Sequence, residues 1–187
     1  MGRYEKGRER RAEILRAALD LIGRNGFRGS TLQDIADAVG VSKAGVLHYF
    51  DSKAELYAEV LRLRDREGTP ADRPLDVDDF VGNMRENADV PGLVHLFTAL
   101  AAEAVEEEHG AHAFFVERYA DVRERLEHAV RAAVDDGRLR SDVDPARFAR
   151  MLVALADGLQ VQWLLDPSFD MGDDISALLA LAGPVQR

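Results

Sequence analysis

The hydrophobic positions of this chain repeat with a helical period almost from end to end. In the first segment Ile14, Ala18, Leu21 and Ile22 are spaced i, i+4, i+7 and i+8, which puts them on one helix face. Segments with similar faces follow, separated by Gly, Pro and Asn, and no convincing run alternates with the period of two that is typical of a strand. The pattern predicts an all-α fold of about nine helices.

Capping residues predict where several of these helices begin and end. Asn25-Gly26 suits the end of the first helix, and Gly137 suits the end of a long helix in the second half. Two overlapping capping boxes, Ser30 with Gln33 and Thr31 with Asp34, predict the start of a short second helix. Asp144-Pro145 predicts an N-cap followed by proline at the first helical position.

The segment from Thr31 to Lys53 has the spacing of a helix-turn-helix, with the second helix predicted from Lys43 to about Tyr49. Such a turn needs a small residue inside the first helix, a glycine at the turn and an apolar residue after it. Ala36 is the small residue, Gly40 the glycine and Val41 the apolar residue after it. Val46 is the apolar residue inside the second helix. The second helix of such a pair enters the major groove of DNA.

The predicted second helix opens on small residues, which let its backbone approach base edges, and it carries polar groups at both ends. Lys43 can reach a guanine edge or a phosphate, and His48 and Tyr49 can donate to phosphate oxygens. Thr31 and Lys53 begin neighbouring helices, where free N–H groups favour an anion. The alternative is an exposed lysine and an aromatic side chain packed under the fourth helix. The predicted DNA contacts are Thr31, Ser42, Lys43, Ala44, Gly45, His48, Tyr49 and Lys53.

Residues 40–56, GVSKAGVLHYFDSKAEL, resemble the signature of TetR-family regulators, and Phe27 and residues 31–36 have close counterparts in that family. Asp144-Pro145 and residues 157–159 are similar to C-terminal halves seen in it. The resemblance implies a homodimer on a palindromic operator, and a small-molecule ligand in each C-terminal body that moves the fourth helix. One departure is Leu47, where the family usually has tyrosine, which leaves His48 and Tyr49 to make the phosphate contacts.

Charge is unevenly distributed along the chain, whose net charge is −10. Residues 1–64 hold 12 basic and 9 acidic side chains, a net charge of +3, whereas residues 65–187 carry −13. A mildly basic head can bind phosphate, although chance alone also produces such splits. Five basic residues near the start of the chain could form an arm that reaches the minor groove. For Arg3 and Lys6, an end of the chain that is simply exposed to solvent is the preferred interpretation. The five residues are Arg3, Lys6, Arg8, Arg10 and Arg11.

Several classes of protein are disfavoured by what the sequence lacks. It has no cysteine, so disulfides and thiolate metal sites are excluded, and no apolar run is long enough to span a bilayer. We predict a cytoplasmic protein with no membrane, metal or cofactor. His109 and His112 beside three glutamates suggest a metal only weakly. No nucleophile elbow or phosphate loop is present, so we predict no enzyme; a regulator that answers to a protein partner, or an activator, is the alternative.

The predicted domains are a helix-turn-helix head at 1–52, a linker helix and loop at 53–75, and a ligand-binding and dimerisation body at 76–187. Large side chains of the body that either form its core or line a ligand pocket are Met84, His95, Phe97, Phe114, Phe115, Tyr119, Gln160 and Trp163. The helix that follows Asp144 is apolar on more than one face, which predicts burial on several sides. The predicted dimer interface is Leu155, Gly158, Leu159, Gln162, Ile175, Leu178 and Leu179.

Overall fold

The computed structural model describes residues 2–68 and 74–184, with side chains from residue 5 onward. Nine α-helices and no strand are found in this part of the chain, which confirms the predicted fold class. They are α1 (Gly2–Asn25), α2 (Leu32–Ala38), α3 (Lys43–Leu47), α4 (Lys53–Gly68), α5 (Val77–Asn87), α6 (Pro91–Glu103), α7 (His112–Asp135), α8 (Pro145–Leu165) and α9 (Met171–Leu181).

These helices pack into two compact units, one within residues 1–69 and 90–115 and the other within 70–89 and 116–187. The first unit therefore holds α1 to α4, α6 and the first residues of α7. The second holds α5, the rest of α7, α8 and α9. This division describes packing, whereas the predicted domains describe a division of functions, which stays a prediction.

The core of the first unit joins the helix-turn-helix to α4 and α6. The buried side chains Ile14, Ile22, Ile35, Val46 and Leu56 come from four different helices. The ring of Phe27 lies edge-on to Tyr57 of α4 and to His95 of α6, with centroids 5.4 and 5.5 Å apart. Because α1 and α4 both pack against α6 as well, the unit is more than a three-helix head.

The second unit has a continuous apolar core to which α5, α7, α8 and α9 all contribute. Leu126 of α7, Leu152 of α8 and Ile175 of α9 are completely buried in it. Arg138 closes one end, donating two hydrogen bonds of 3.0 and 2.8 Å to the carboxylate of Asp76. These bonds hold the pKa of the Asp76 carboxyl below its usual range.

The predicted helix ends agree with the structure at most places. Gly137 has a φ of +74°, as expected of the residue after α7, and Asp144 caps α8 through a 3.1 Å hydrogen bond from the Arg147 N–H. The second helix of the helix-turn-helix is shorter than predicted, because α3 ends at Leu47 and His48 is its C-cap. Of the two overlapping boxes, only Thr31–Asp34 forms, since the Ser30 hydroxyl donates to the Gly26 carbonyl instead.

Candidate DNA-binding helix and effector site

The start of α2 is fixed by a reciprocal pair of hydrogen bonds between Thr31 and Asp34. The Thr31 hydroxyl accepts from the Asp34 N–H at 3.2 Å, and the Thr31 N–H donates to the Asp34 carboxylate at 2.7 Å. The Thr31 hydroxyl also donates to that carboxylate at 2.6 Å. These bonds lower the pKa of the Asp34 carboxyl, so it stays charged at neutral pH.

The turn between α2 and α3 has the features that the sequence predicted. Gly40 has a φ of +67°, a conformation that residues with a Cβ rarely adopt. Val41 follows, and its N–H donates to the Ala36 carbonyl at 3.0 Å, which brings the chain back across α2. The turn therefore sets the angle at which α3 leaves the head.

The helix α3 has one buried face and one exposed face. Val46 is completely buried and anchors the helix to the head, and the Ser42 hydroxyl caps it by accepting from the Gly45 N–H at 3.0 Å. The exposed residues of the helix and its C-cap are Lys43, Ala44, Leu47 and His48. Since helix neighbours lie three and four residues apart, these side chains form one continuous outer face.

Gly45 does not belong to that outer face. It is half-buried, and a Cβ at this position would lie 3.2 Å from Cβ of Val41. Its lack of a side chain serves the packing of the turn, and a DNA contact through its backbone stays a prediction. Tyr49 is also half-buried, with its ring edge-on to that of His48 at a centroid distance of 5.5 Å.

Two of the predicted phosphate contacts, Thr31 and Lys53, line one cleft in the first unit. The cleft has a volume of about 470 Å³, and its remaining walls are Phe27, Arg28, Ser30 and Tyr57. The Lys53 ammonium lies 5.2 Å from the centroid of the Tyr57 ring, a cation–π contact. Arg28, which was not among the predicted contacts, is exposed and lines the same cleft as Thr31.

The basic residues near the chain start divide into two groups. Arg10 donates to the Val39 carbonyl at 2.6 Å, and Arg11 pairs with Glu59 at 3.2 Å while its guanidinium lies over the Phe50 ring. Both are thus engaged within the first unit rather than extended as an arm. Lys6 and Arg8 are exposed, and the side chain of Arg3 lies outside the described residues.

The second unit contains a polar group inside its apolar framework. The Tyr119 hydroxyl of α7 donates to Oδ2 of Asp157 of α8 at 2.8 Å. Burial raises the pKa of both groups, and the Asp157 charge raises that of Tyr119 further. Asp157 was not predicted as a site residue. Its place between the buried Ala156 and Leu159 of α8 was a signal for it.

Gln160 lies one turn after Asp157 on α8 and is only 7% exposed. Its side-chain amide makes no hydrogen bond within the described part of the chain. The amide atoms still reach solvent, since the only fully buried side-chain nitrogen or oxygen without a partner among the described residues is Nη2 of Arg125. Asp157, Tyr119 and Gln160 thus place polar side chains beside the apolar core of the second unit.

The other predicted pocket residues are divided between the two units. Met84 and Trp163 are buried in the core of the second unit, together with the polar Gln160. His95, Phe97 and Phe115 belong to the first unit, where the Phe97 and Phe115 rings lie 5.5 Å apart. Phe114, 5.0 Å from Phe115, lies under the guanidinium of Arg62 at 5.1 Å.

Two residues of the predicted dimer interface are buried in the chain's own core. Leu159 and Ile175 both belong to the core cluster of the second unit, where α8 packs against α9. They have almost no surface left to offer a partner, so their prediction as interface residues is wrong. Gly158 and Gln162 do reach the surface, and Leu155, Leu178 and Leu179 are half-buried.

His109 and His112 are held by local partners. Nδ1 of His112 lies 2.9 Å from the Ala104 carbonyl oxygen, and Nε2 of His109 lies 3.6 Å from the Glu103 carboxylate. No group of three side chains suited to hold a metal ion was found among the described residues. Within the same residues, no helix is both long and apolar enough to cross a membrane.

The short helix pair with an exposed second helix defines a helix-turn-helix DNA-binding protein, and comparison with known proteins agrees. Residues 14–60 match the bacterial regulatory proteins of the tetR family, and residues 82–180 match the C-terminal region of BetI-type transcriptional repressors. The chain belongs to the TetR family of transcriptional regulators.

Individual relatives support the same conclusion. The HTH-type transcriptional repressor KstR2 of Rhodococcus jostii (strain RHA1) is 30% identical over 163 residues, 76% of this chain and 74% of the relative. A protein from Saccharomonospora viridis, solved in complex with choline, is 25% identical with a TM-score of 0.63, over 92% of this chain and 94% of that one. A TetR-family regulator from Agrobacterium tumefaciens, 18% identical, shares the fold with a TM-score of 0.71, over 95% and 100% of the two chains.

Proposed function

We propose that this regulator is a dimeric repressor that binds a palindromic operator through α3 and is released by a small-molecule effector. The observation that carries the proposal is the outer face of α3, where Lys43, Ala44 and His48 are exposed while Val46 fixes the helix to the head. Lys43 and His48 lie at opposite ends of that face. Thr31 and Lys53, in their common cleft, supply phosphate contacts beside it.

In this proposal the head at residues 1–52 binds DNA, the linker at 53–75 transmits the signal, and the body at 76–187 dimerises and binds the effector. Two heads reading one palindrome must be about 34–36 Å apart, one helical turn of DNA. A ligand that favours another spacing of the heads lowers operator affinity by the difference in its affinity for the two states.

The dimer is proposed on α8, where an uncovered apolar stripe runs along the helix. Its residues, spaced by three or four, are Met151, Ala154, Gly158, Val161 and Leu165. This is the spacing of a seam between two helices that cross at a small angle. Val161 is 49% and Leu165 84% exposed in the single chain. A Cβ at Gly158 would meet nothing within 4 Å, which leaves room for a partner helix to approach.

Replacing Val161 with glutamate is expected to convert the dimer to a monomer, because it places two like charges in the apolar seam. Sedimentation velocity at micromolar concentration measures the result. Val116→Glu on α7 is the matched control, since Val116 is a similarly exposed helical valine outside the stripe, and this variant should remain dimeric. A Val161→Glu protein that sediments as the wild type does would place the interface elsewhere.

The effector site is proposed around Asp157, Tyr119 and Gln160 of the second unit. The support is the 2.8 Å hydrogen bond between the first two and the amide of the third, which makes no hydrogen bond within the described part of the chain although its residue is only 7% exposed. A carboxylate beside an aromatic ring suits a cationic ligand. Choline is the first probe, because the similar protein from Saccharomonospora viridis was solved in complex with it.

Gln160→Leu is expected to change the stability of the ligand-free protein by no more than about 0.5 kcal/mol, because the amide reaches solvent and makes no hydrogen bond that the substitution would break within the described residues. Leucine nearly preserves the volume and removes an amide that has no partner. The same variant should lose the rise in Tm that an effector gives the wild type. Calorimetry with and without choline, and then with a metabolite library, measures both effects. A markedly lower Tm of the ligand-free variant would show that the amide is bonded in solution.

The function itself is tested by fluorescence anisotropy with duplex DNA from upstream of the protein's own gene. Binding should resist a scrambled competitor, occur at two protomers per palindrome and weaken as added salt competes for the phosphates. The protein is also refolded free of any bound ligand and offered a library of random duplexes. If it then binds the scrambled duplex as tightly as the upstream DNA and selects no sequence from the library, the proposal is contradicted.

A further inference from the structure

Leu47 is the one large apolar side chain on the outer face of α3, among the residues that the structure describes there. It is 42% exposed. It lies one turn after Lys43 and three residues after Ala44, and His48 follows it directly. Its side chain therefore lies in the middle of the face that the proposed function places in the major groove, while the neighbouring Val46 is turned inward and buried.

The chemistry of leucine restricts what it can contact there. It has no donor or acceptor, so it cannot bond a phosphate or a polar base edge, and covering such a group with it would cost hydrogen bonds to water. The major groove offers one apolar group on its base edges, the C5 methyl of thymine. A leucine and a small residue such as Ala44 side by side form a surface that complements this methyl group.

We propose that Leu47 recognises a thymine methyl group and so makes thymine the preferred base at one position of each half-site. This inference rests on the proposed function and adds a specificity-determining residue to it. A side chain with a hydroxyl group could bond a phosphate at this position whatever the sequence, whereas a leucine contributes only where a methyl group is present.

The experiment removes the methyl group alone. Full-length protein selects its sites from a random duplex library, and each thymine of the enriched half-site is then replaced by deoxyuridine, which pairs identically but lacks the methyl. Kd is measured by anisotropy for the wild type and for Leu47→Ala. For the wild type, replacing thymine at one position of a half-site should lower affinity about fourfold, which is the factor for one methyl group removed from an apolar contact. Replacing it in both half-sites should lower affinity about 15-fold.

In Leu47→Ala the same substitution should leave Kd nearly unchanged, because the partner of the methyl group is already gone. This non-additivity separates a direct contact from two independent effects. Val105→Ala is the control, since Val105 is 72% exposed and lies outside the helix-turn-helix, and it should keep the full loss of affinity on uracil substitution. Equal uracil penalties in wild type and Leu47→Ala, or none at any thymine, would overturn this inference alone. A library that yields no enriched sequence would overturn the proposed function with it.

Discussion

Lys43→Ala is expected to weaken operator binding by about 1–3 kcal/mol, a reduction of about 5- to 150-fold in affinity, without unfolding the protein. Lys43 is the first residue of α3, is exposed and has no ion pair within the described residues, so its charge is available to DNA. Val46 and the Ser42 cap, which hold the helix in place, are unaffected by the change. Anisotropy titrations at several salt concentrations measure the reduction.

The salt dependence distinguishes the two possible roles of Lys43. If its ammonium binds a phosphate, the substitution lowers affinity for all sequences alike and reduces the salt slope by about one per half-site, whereas loss of a guanine partner relaxes sequence preference at one position. Arg123→Ala is the control for the loss of one positive charge, because Arg123 is exposed on α7 in the second unit and is not among the predicted DNA contacts. Unchanged affinity of Lys43→Ala would exclude α3 as the recognition helix.

Local signals in the sequence predicted the turn and the helix start that position α3, because each depends only on nearby residues. Gly40 needs a positive φ wherever a tight turn joins two helices, and Thr31 with Asp34 needs only a helix start to form its box. The competing box with Ser30 was decided by a contact to Gly26 that spacing alone does not reveal. The outer face of α3 followed from one buried position, Val46.

Periodicity was less informative about α8, because it identifies apolar faces but not what covers them. Leu159 and Val161 are both apolar residues of this helix, yet one is buried in the core of the unit and the other is half exposed. The face of α8 that is buried within the chain depends on where α9 packs, and contacts between residues far apart in the sequence decide this. Asp157 was missed for a related reason, since only the structure brings Tyr119 of α7 to it.

Gly92→Ala is expected to destabilise the first unit by about 3 kcal/mol or more, which lowers Tm by roughly 6–12 °C. Gly92 lies in the first turn of α6, directly against the end of α1. A Cβ there would lie 2.1 Å from the Ile22 carbonyl oxygen and 2.8 Å from Cα of Gly26. Both are backbone atoms, so no side-chain rotation relieves the clash, and α6 must move away from α1. Thermal unfolding followed by circular dichroism measures the effect.

Gly23→Ala is the matched control, and it should change stability in the opposite direction. Gly23 is inside α1, and a Cβ there meets nothing within 4 Å, so alanine gains about 0.5–1 kcal/mol through its higher helix propensity. The two substitutions add the same methyl group to neighbouring parts of one unit. Opposite signs would show that the close approach of α6 to α1 exists in solution. A Gly92→Ala protein as stable as the wild type would mean that α6 packs farther from α1, and that the head is held mainly by α4.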